Sequence, residues 1–215
     1  RITLEDGAVF GAGQVMFATG RLPNVVNLGL ENAGVDLTPH YAVKVDEYSR
    51  STADNIYAVG DVTNRVNLTP VAIREGQTFA DNVFGGQDVK TDHTLIPTAV
   101  FSQPEIGTIG LTEAQAKEKG YTVKVGRFPF QPNGKALGLG DYAGFAKILV
   151  DEKYHEILGA HLVGPDVSEL LPELTLAQQN ELTTVEIGRN VHAHPTLSEV
   201  LMEAAHAAEG HSTQM

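Results

Sequence analysis

His194 and Glu199 close the run His194-Pro195-Thr196-Leu197-Ser198-Glu199, a spacing that can do proton chemistry. Pro195 suits the first position of a helix, where a missing N–H costs nothing. A helix is therefore predicted from Pro195 to Glu209, with His194 just outside it and Glu199 about one turn in. Helical side chains lean toward the N-terminus, so Glu199 can reach back to the imidazole. A carboxylate on one ring nitrogen raises the basicity of the ring and leaves the other nitrogen free to move protons. The plainer alternative is a His–Glu contact that only caps a surface helix.

Two other places carry chemistry-bearing groups. Ile56-Tyr57-Ala58-Val59 reads as a short strand buried on both faces, ended by Gly60 and Asp61. Gly60 has no side chain, so a cofactor can lie against its backbone. Asp61 puts a carboxylate at the C-terminal strand end, where open α/β sheets bind ligands and where sugar-like hydroxyls can donate to it. The alternative for Asp61 is a helix N-cap. Downstream, Thr69 is a good N-cap and Pro70 a good first helical residue, with Ile73, Gly76, Phe79 or Ala80, and Val83 as an apolar core stripe. The free N–H groups and positive dipole end of that helix can stabilise negative charge on a ligand.

These groups need a scaffold. Ile2-Thr3-Leu4-Glu5 and Val15-Met16-Phe17-Ala18 read as strands, with Asp6-Gly7 as a hairpin turn signal. Gly20, in Thr19-Gly20-Arg21-Leu22-Pro23-Asn24, permits close approach of backbone to a ligand. Later, Thr112–Lys119 forms a helix with a Thr112/Gln115 capping box, closed by Gly120. Strands are predicted at Tyr121–Phe130, Gly144–Val150 and Ile157–Val163, and helices at Asp166–Asn180, Thr183–Arg189 and Pro195–Glu209. Pro172 should kink or interrupt the first of these helices. Leu197, Leu201, Ala204 and Ala208 make a stripe suited to a core.

Composition sets outer limits. The 215 residues carry a formal charge of −12, which disfavours a nucleic-acid or anionic-membrane surface. No apolar run approaches the roughly 20 residues that span a bilayer, and the first residues resemble neither a signal nor a transit peptide. The expected setting is cytoplasmic. There is no cysteine, so thiolate chemistry needs groups from outside these residues.

His192-Ala193-His194-Pro195-Thr196-Leu197-Ser198-Glu199, followed by Leu201-Met202-Glu203-Ala204-Ala205, resembles the C-terminal signature of dihydrolipoamide dehydrogenases, which are FAD-dependent pyridine-nucleotide disulfide oxidoreductases. The resemblance implies that His194 is the active-site acid/base and Glu199 its orienting partner, while His192 is not the matching position. Ser51-Thr52-Ala53-Asp54-Asn55-Ile56-Tyr57-Ala58-Val59-Gly60-Asp61 resembles the family's flavin segment. Asp61 would then grip the ribityl chain of FAD, and Asn67, Leu68 and Thr69 would line the isoalloxazine. The Ala18-Thr19-Gly20-Arg21 and Pro23-Asn24 string resembles the return from the nicotinamide domain to the flavin domain.

The resemblance implies an α/β flavin-domain remnant followed by an α+β dimerisation (interface) domain with an antiparallel sheet and helices. Residues 1–20 would end an NAD(P)-binding domain, 21–92 would be the C-terminal segment of an FAD-binding domain, and 93–215 the dimerisation domain. The family's cysteine pair and its Gly-rich FAD and NAD turns are not in this sequence, so the chain is expected to be roughly the last half of a homodimeric oxidoreductase, inactive alone.

Leu68-Thr69-Pro70-Val71-Ala72 and Ile96-Pro97-Thr98 resemble glutathione reductase; Val125-Gly126-Arg127-Phe128 and the residues C-terminal to them resemble dihydrolipoamide dehydrogenase. Gln77 stands where some glutathione reductases have arginine. Val200 stands where they tend to have a second glutamate, and an apolar residue suits the uncharged lipoamide arm. The implied reaction is oxidation of dihydrolipoamide with FAD and NAD, the partner being a lipoyl domain of a 2-oxoacid dehydrogenase complex or a small disulfide. The alternatives are an NADPH-dependent (NADP-linked) glutathione reductase, and a dimerisation module without catalysis.

Overall fold

A computed structural model describes residues 1–211 and resolves two compact units, one from Arg1 to Thr91 and one from Asp92 onward. In the first unit, β1 (Ile2–Thr3) pairs antiparallel with β2 (Val9–Phe10), and Gly7 at φ +83° turns the chain between them. The hairpin closes sooner than the sequence suggested. Val15–Ala18 is not a strand: it pairs with no strand among the described residues, and Met16 and Phe17 are exposed. An extended segment without a ladder partner has no sheet to join. Ile56–Val59 is likewise no buried strand, since only Tyr57 makes a single bridge, to Arg50, and all four residues are half-buried.

A 3₁₀ turn at Gly60–Thr63 leads to α1 (Thr69–Val83). Thr69 is the first helical residue rather than the cap; Leu68 holds the cap position and no side chain caps the helix. Of the expected stripe, Ile73 and Val83 are exposed, while Gly76, Phe79 and Ala80 are half-buried. The buried line on α1 is Val71, Glu75 and Thr78. Glu75 on that line is bonded to the Gly60 N–H and to Arg65.

The second unit is a five-stranded antiparallel sheet in the order β3-β4-β7-β6-β5. The strands are β3 (Thr98–Val100), β4 (Glu105–Gly110), β5 (Val123–Pro129), β6 (Phe145–Asp151) and β7 (Ile157–Gly164). The helices are α2 (Glu113–Glu118), α3 (Gly134–Leu139), α4 (Val167–Gln179), α5 (Thr184–Arg189) and α6 (Glu199–Ala208). This is the expected antiparallel α+β layer. The strands and α4, α5 and the capped α2 stand close to their expected bounds; β3, β4 and α3 had no counterpart in the sequence reading.

Alternation along β6 and β7 sends Ala146, Ile148, Ala160 and Leu162 into one core with Leu171 and Leu174 of α4 and Leu201 and Ala204 of α6. Ala208 is buried too, as is Leu197 just ahead of α6, so the expected stripe is core. Gly126 is what lets α6 lie against β5, because a Cβ there would collide with the Ala204 carbonyl. Pro172 does not interrupt α4, which runs on to Gln179; Leu171 and Leu174 on either side of it are anchored in the core.

The end of α6 is tied down by Glu209, whose carboxylate accepts from the Thr184 hydroxyl and meets His155 Nδ1 at 2.9 Å. Burial alone would raise the Glu209 carboxyl, but the bonds from His155 and Thr184, with the charges of His155 and Lys124, outweigh it and hold it below the usual glutamate range. A depressed folded pKa contributes stability above the unfolded glutamate pKa and loses it as pH falls through the lowered value. Glu209→Gln is therefore expected to cost about 1.5 kcal/mol near neutrality. The difference from the parent should shrink to nothing in acid, as read by urea unfolding curves across that range.

Candidate functional site

After α5 the chain runs through Asn190–Ala193, and the side chain of His192 is only 3% exposed. Its Nε2 lies 2.8 Å from Glu173 Oε1 of α4, and its Nδ1 lies 3.1 Å from the Asn190 carbonyl. His194, two residues on, has a side chain 74% exposed. The two histidines are thus sorted by burial, one anchored and one presented.

The segment between His194 and α6 is not helical. The His194–Pro195 bond is cis, and α6 begins at Glu199 after an N-cap position at Ser198. The expected helix start at Pro195 is four residues early. Thr196 is held from three sides: its hydroxyl donates to the Ala193 carbonyl, its carbonyl accepts from Asn133 Nδ2 at 3.0 Å, and its N–H donates to Glu199 Oε2 at 2.9 Å. The Thr196 carbonyl thus bonds to Asn133, and the Val200 N–H donates to the Leu197 carbonyl rather than to it.

Glu199 is buried, and its Oε1 lies 2.9 Å from His194 Nδ1. Burial alone would raise this carboxyl. The Thr196 N–H, the His194 bond, and the positive charges of His194 and His192 together outweigh it, so Glu199 sits below the usual glutamate range. An ionised carboxylate can only accept, which assigns the Nδ1 proton to His194 and leaves Nε2 with its lone pair in the neutral ring. No hydrogen bond engages Nε2 among the described residues. The arrangement can take a proton at Nε2 and stabilise the imidazolium that results.

Val200 does not face a substrate within this chain. It is wholly buried in the core beside Leu201, which removes it as a discriminator between lipoamide and glutathione. Gln77 is occupied locally, donating to Asp81 Oδ1 at 2.7 Å.

In the first unit, Gly60 is buried at φ +73°, and a Cβ there would stand 3.0 Å from that of Ala72. The missing side chain thus serves the close approach of α1, and a positive φ favours glycine in its own right. Asp61 comes next, exposed, within the 3₁₀ turn. Val59 holds the N-cap position with no side-chain cap, so the N-cap alternative for Asp61 does not hold. The Asp61 carbonyl accepts from the Asn64 N–H, and Asn64 Oδ1 accepts from Asn67 Nδ2 at 3.0 Å. Asp61, Asn67, Leu68 and Thr69 are thus neighbours along one short path into α1. Gly20 is exposed at φ +112°, and no hydrogen bond ties it to that group among the described residues.

The sequence reading missed Glu75 and Arg65. Glu75 Oε2 accepts the Gly60 N–H at 2.6 Å, and its Oε1 pairs with Arg65 at 3.0 Å. No signal in the sequence pointed to either, because the apolar stripe read along this helix runs through Ile73, Gly76 and Val83 rather than Glu75. Among the described residues no cluster of side chains could hold a metal ion, and no helix is long and apolar enough to cross a membrane.

Residues 96–205 match the model of the pyridine nucleotide-disulphide oxidoreductase dimerisation domain, and residues 1–76 match that of the pyridine nucleotide-disulphide oxidoreductases. Dihydrolipoyl dehydrogenase of Mycobacterium tuberculosis is 49% identical over 201 residues, covering 93% of this chain and 43% of that protein. Glutathione reductase of Burkholderia cepacia is 44% identical over 198 residues, 92% of this chain and 44% of that protein. The chain thus spans less than half the length of these relatives. Among solved structures, LpdA from Mycobacterium tuberculosis matches with TM-score 0.85 and 28% identity over 94% of this chain and 44% of its own. The HOCl-induced flavoprotein disulfide reductase of Escherichia coli matches at 0.83 and 32% over 86% and 42%.

Proposed function

This chain belongs to the pyridine nucleotide-disulphide oxidoreductase family, and from that premise we propose that, in a protein of the relatives' full length, it serves oxidation of dihydrolipoamide to lipoamide with FAD and NAD. The observation that carries the reading is the His194–Glu199 pair, with its proton on Nδ1 and Nε2 open.

In this reading His194 is the acid/base and Glu199 orients it. Dithiol sulfur attacks one sulfur of a cystine pair supplied from outside these residues. The thiol proton goes to His194 Nε2 as the S–S bond breaks, since only the thiolate is nucleophilic. Glu199 keeps the ring in the right tautomer and balances its charge, and His192, locked to Glu173, holds the backbone that presents it.

The residues of the first unit fit a flavin. An uncapped helix start and an exposed carboxylate beside it suit, respectively, a ring carbonyl and a ribityl chain. Asp61, Asn67, Leu68 and Thr69 would hold FAD, with Gly20 and Gly60 allowing close backbone approach. When bound, FAD supplies two-electron transfer between the sulfur centre and the nicotinamide. Residues 1–20 end the nicotinamide domain, 21–92 belong to the flavin domain and 93–215 to the dimerisation domain, through which the protein forms a homodimer. A lipoyl domain is the macromolecular partner.

The Thr69-Pro70 wording and the Burkholderia cepacia relative favour a second reading, NADPH-dependent glutathione reduction, in which His194 gives up a proton instead. A steady-state assay of the full-length protein decides between them. Turnover with dihydrolipoamide and NAD is expected to exceed that with glutathione disulfide and NADPH by at least about tenfold in kcat/KM, a difference of some 1.4 kcal/mol in the barrier. The reverse ratio assigns the reductase. A flavin-free dimer without either activity leaves the dimerisation module.

A further inference from the structure

Asp61 is exposed, yet the residue before it, Gly60, is fixed through both its N–H and its carbonyl. The Gly60 N–H donates to Glu75 Oε2 at 2.6 Å, and the Gly60 carbonyl accepts from the Thr63 hydroxyl at 2.8 Å. Arg65 closes the ring. It meets Glu75 Oε1 at 3.0 Å and donates to Ser49 Oγ at 2.9 Å and to Thr63 Oγ1 at 3.3 Å. Glu75 is 1% exposed, and Thr63 and Ser49 are buried with it.

An ion pair with its carboxylate buried and its arginine half-buried is weak support for stability, because desolvating the charges offsets their attraction. Its use lies in where it puts things. Glu75 sits on the helix whose first turn comes directly after Asn67 and Leu68, and it grips the residue immediately before Asp61. One carboxylate therefore ties the turn bearing Asp61 to the helix bearing Thr69. Ala72, on the same helix, lies close enough to Gly60 that a Cβ there would stand 3.0 Å from its own.

We propose that Glu75 is a positioning residue for the flavin, with Arg65 as its counter-charge. It locks Asp61 and the start of α1 into one preformed cradle, so that binding does not have to order them. This rests on the reading of Asp61 as a flavin contact.

The test is FAD affinity, measured by titrating the full-length apoprotein. Glu75→Leu with Arg65→Met leaves no orphan charge but removes the acceptor for the Gly60 N–H, and FAD is expected to bind at least tenfold more weakly. Glu75→Gln with Arg65→Met keeps a carbonyl there, and affinity should return to within about threefold of the parent. Asp61→Ala is then added to each. If Glu75 acts through Asp61, the second substitution costs much less in the Leu background than in the parent. Equal affinity of the Leu and Gln variants, or full additivity with Asp61→Ala, overturns the proposal.

Thr63→Val is close in shape and neutral in charge, and it gives the reading should the Leu variant not fold. It is expected to weaken FAD at least threefold and non-additively with Asp61→Ala, and an unchanged affinity overturns the proposal. If Asp61→Ala alone leaves FAD affinity intact, the flavin reading itself fails and takes this one with it. A strong Asp61 effect with none from Glu75 or Thr63 defeats only the positioning role.

Discussion

His194→Gln in the full-length protein is expected to slow dithiol–disulfide exchange by about 10²–10⁴-fold, the usual worth of a placed acid/base. Glutamine approximates the reach of the imidazole and can still donate to Glu199, so the fold of the 190–199 segment should survive. What it lacks is a nitrogen that takes and returns a proton. The half-reaction with the nicotinamide involves no thiol proton and should keep its rate, which stopped-flow absorbance can track separately. Glu199→Gln is the graded companion. The bond to Nδ1 remains possible, but the tautomer is no longer forced and the imidazolium loses its counter-charge, so a smaller loss is expected. Near-normal turnover of a dithiol by His194→Gln would leave the pair at 2.9 Å as a surface contact and nothing more.

Asp61→Ala tests the flavin independently of the sulfur chemistry. A carboxylate that accepts ribityl hydroxyls contributes about 1.5–3 kcal/mol in charge-assisted bonds. Its loss should weaken FAD roughly 10–150-fold, seen as flavin lost on dialysis. The structure sharpens this expectation. Asp61 caps no helix end, so the apoprotein should unfold within about 0.5 kcal/mol of the parent, as for an ordinary exposed site. Loss of flavin without loss of stability is the distinguishing result. Full retention of FAD would remove the cofactor assignment from Asp61.

Much of the candidate site was legible in the residues because its key interaction is local. His194 and Glu199 are close enough in the chain that any turn between them brings the groups together, whichever helix boundary applies. The capping boxes at Thr112/Gln115 and Thr183/Glu186 were readable for the same reason, each lying within one turn. The runs of β5, β6 and β7 were readable as apolar stretches bounded by turns; only β5 alternates clearly between buried and exposed residues, while β6 and β7 are each buried on both faces over four consecutive residues.

The rest required distant parts to meet. Glu75 reaches Gly60 across 15 residues, and Asn133 reaches Thr196 across 63. No local pattern announces either bond. The second holds the Thr196 carbonyl ahead of α6, and the first lies on the buried line of α1. Val15–Ala18 and Ile56–Val59 have the composition of strands, but a strand exists only where another offers its edge. Val200 looked like a substrate contact by its place beside Glu199, and packing turned it into the core. The sequence by itself determined which chemical groups were available and which near neighbours could pair, because chain connectivity limits those distances. Tertiary structure decided which groups were buried and which were left exposed, because desolvation and long-range hydrogen bonds depend on elements that only folding brings together.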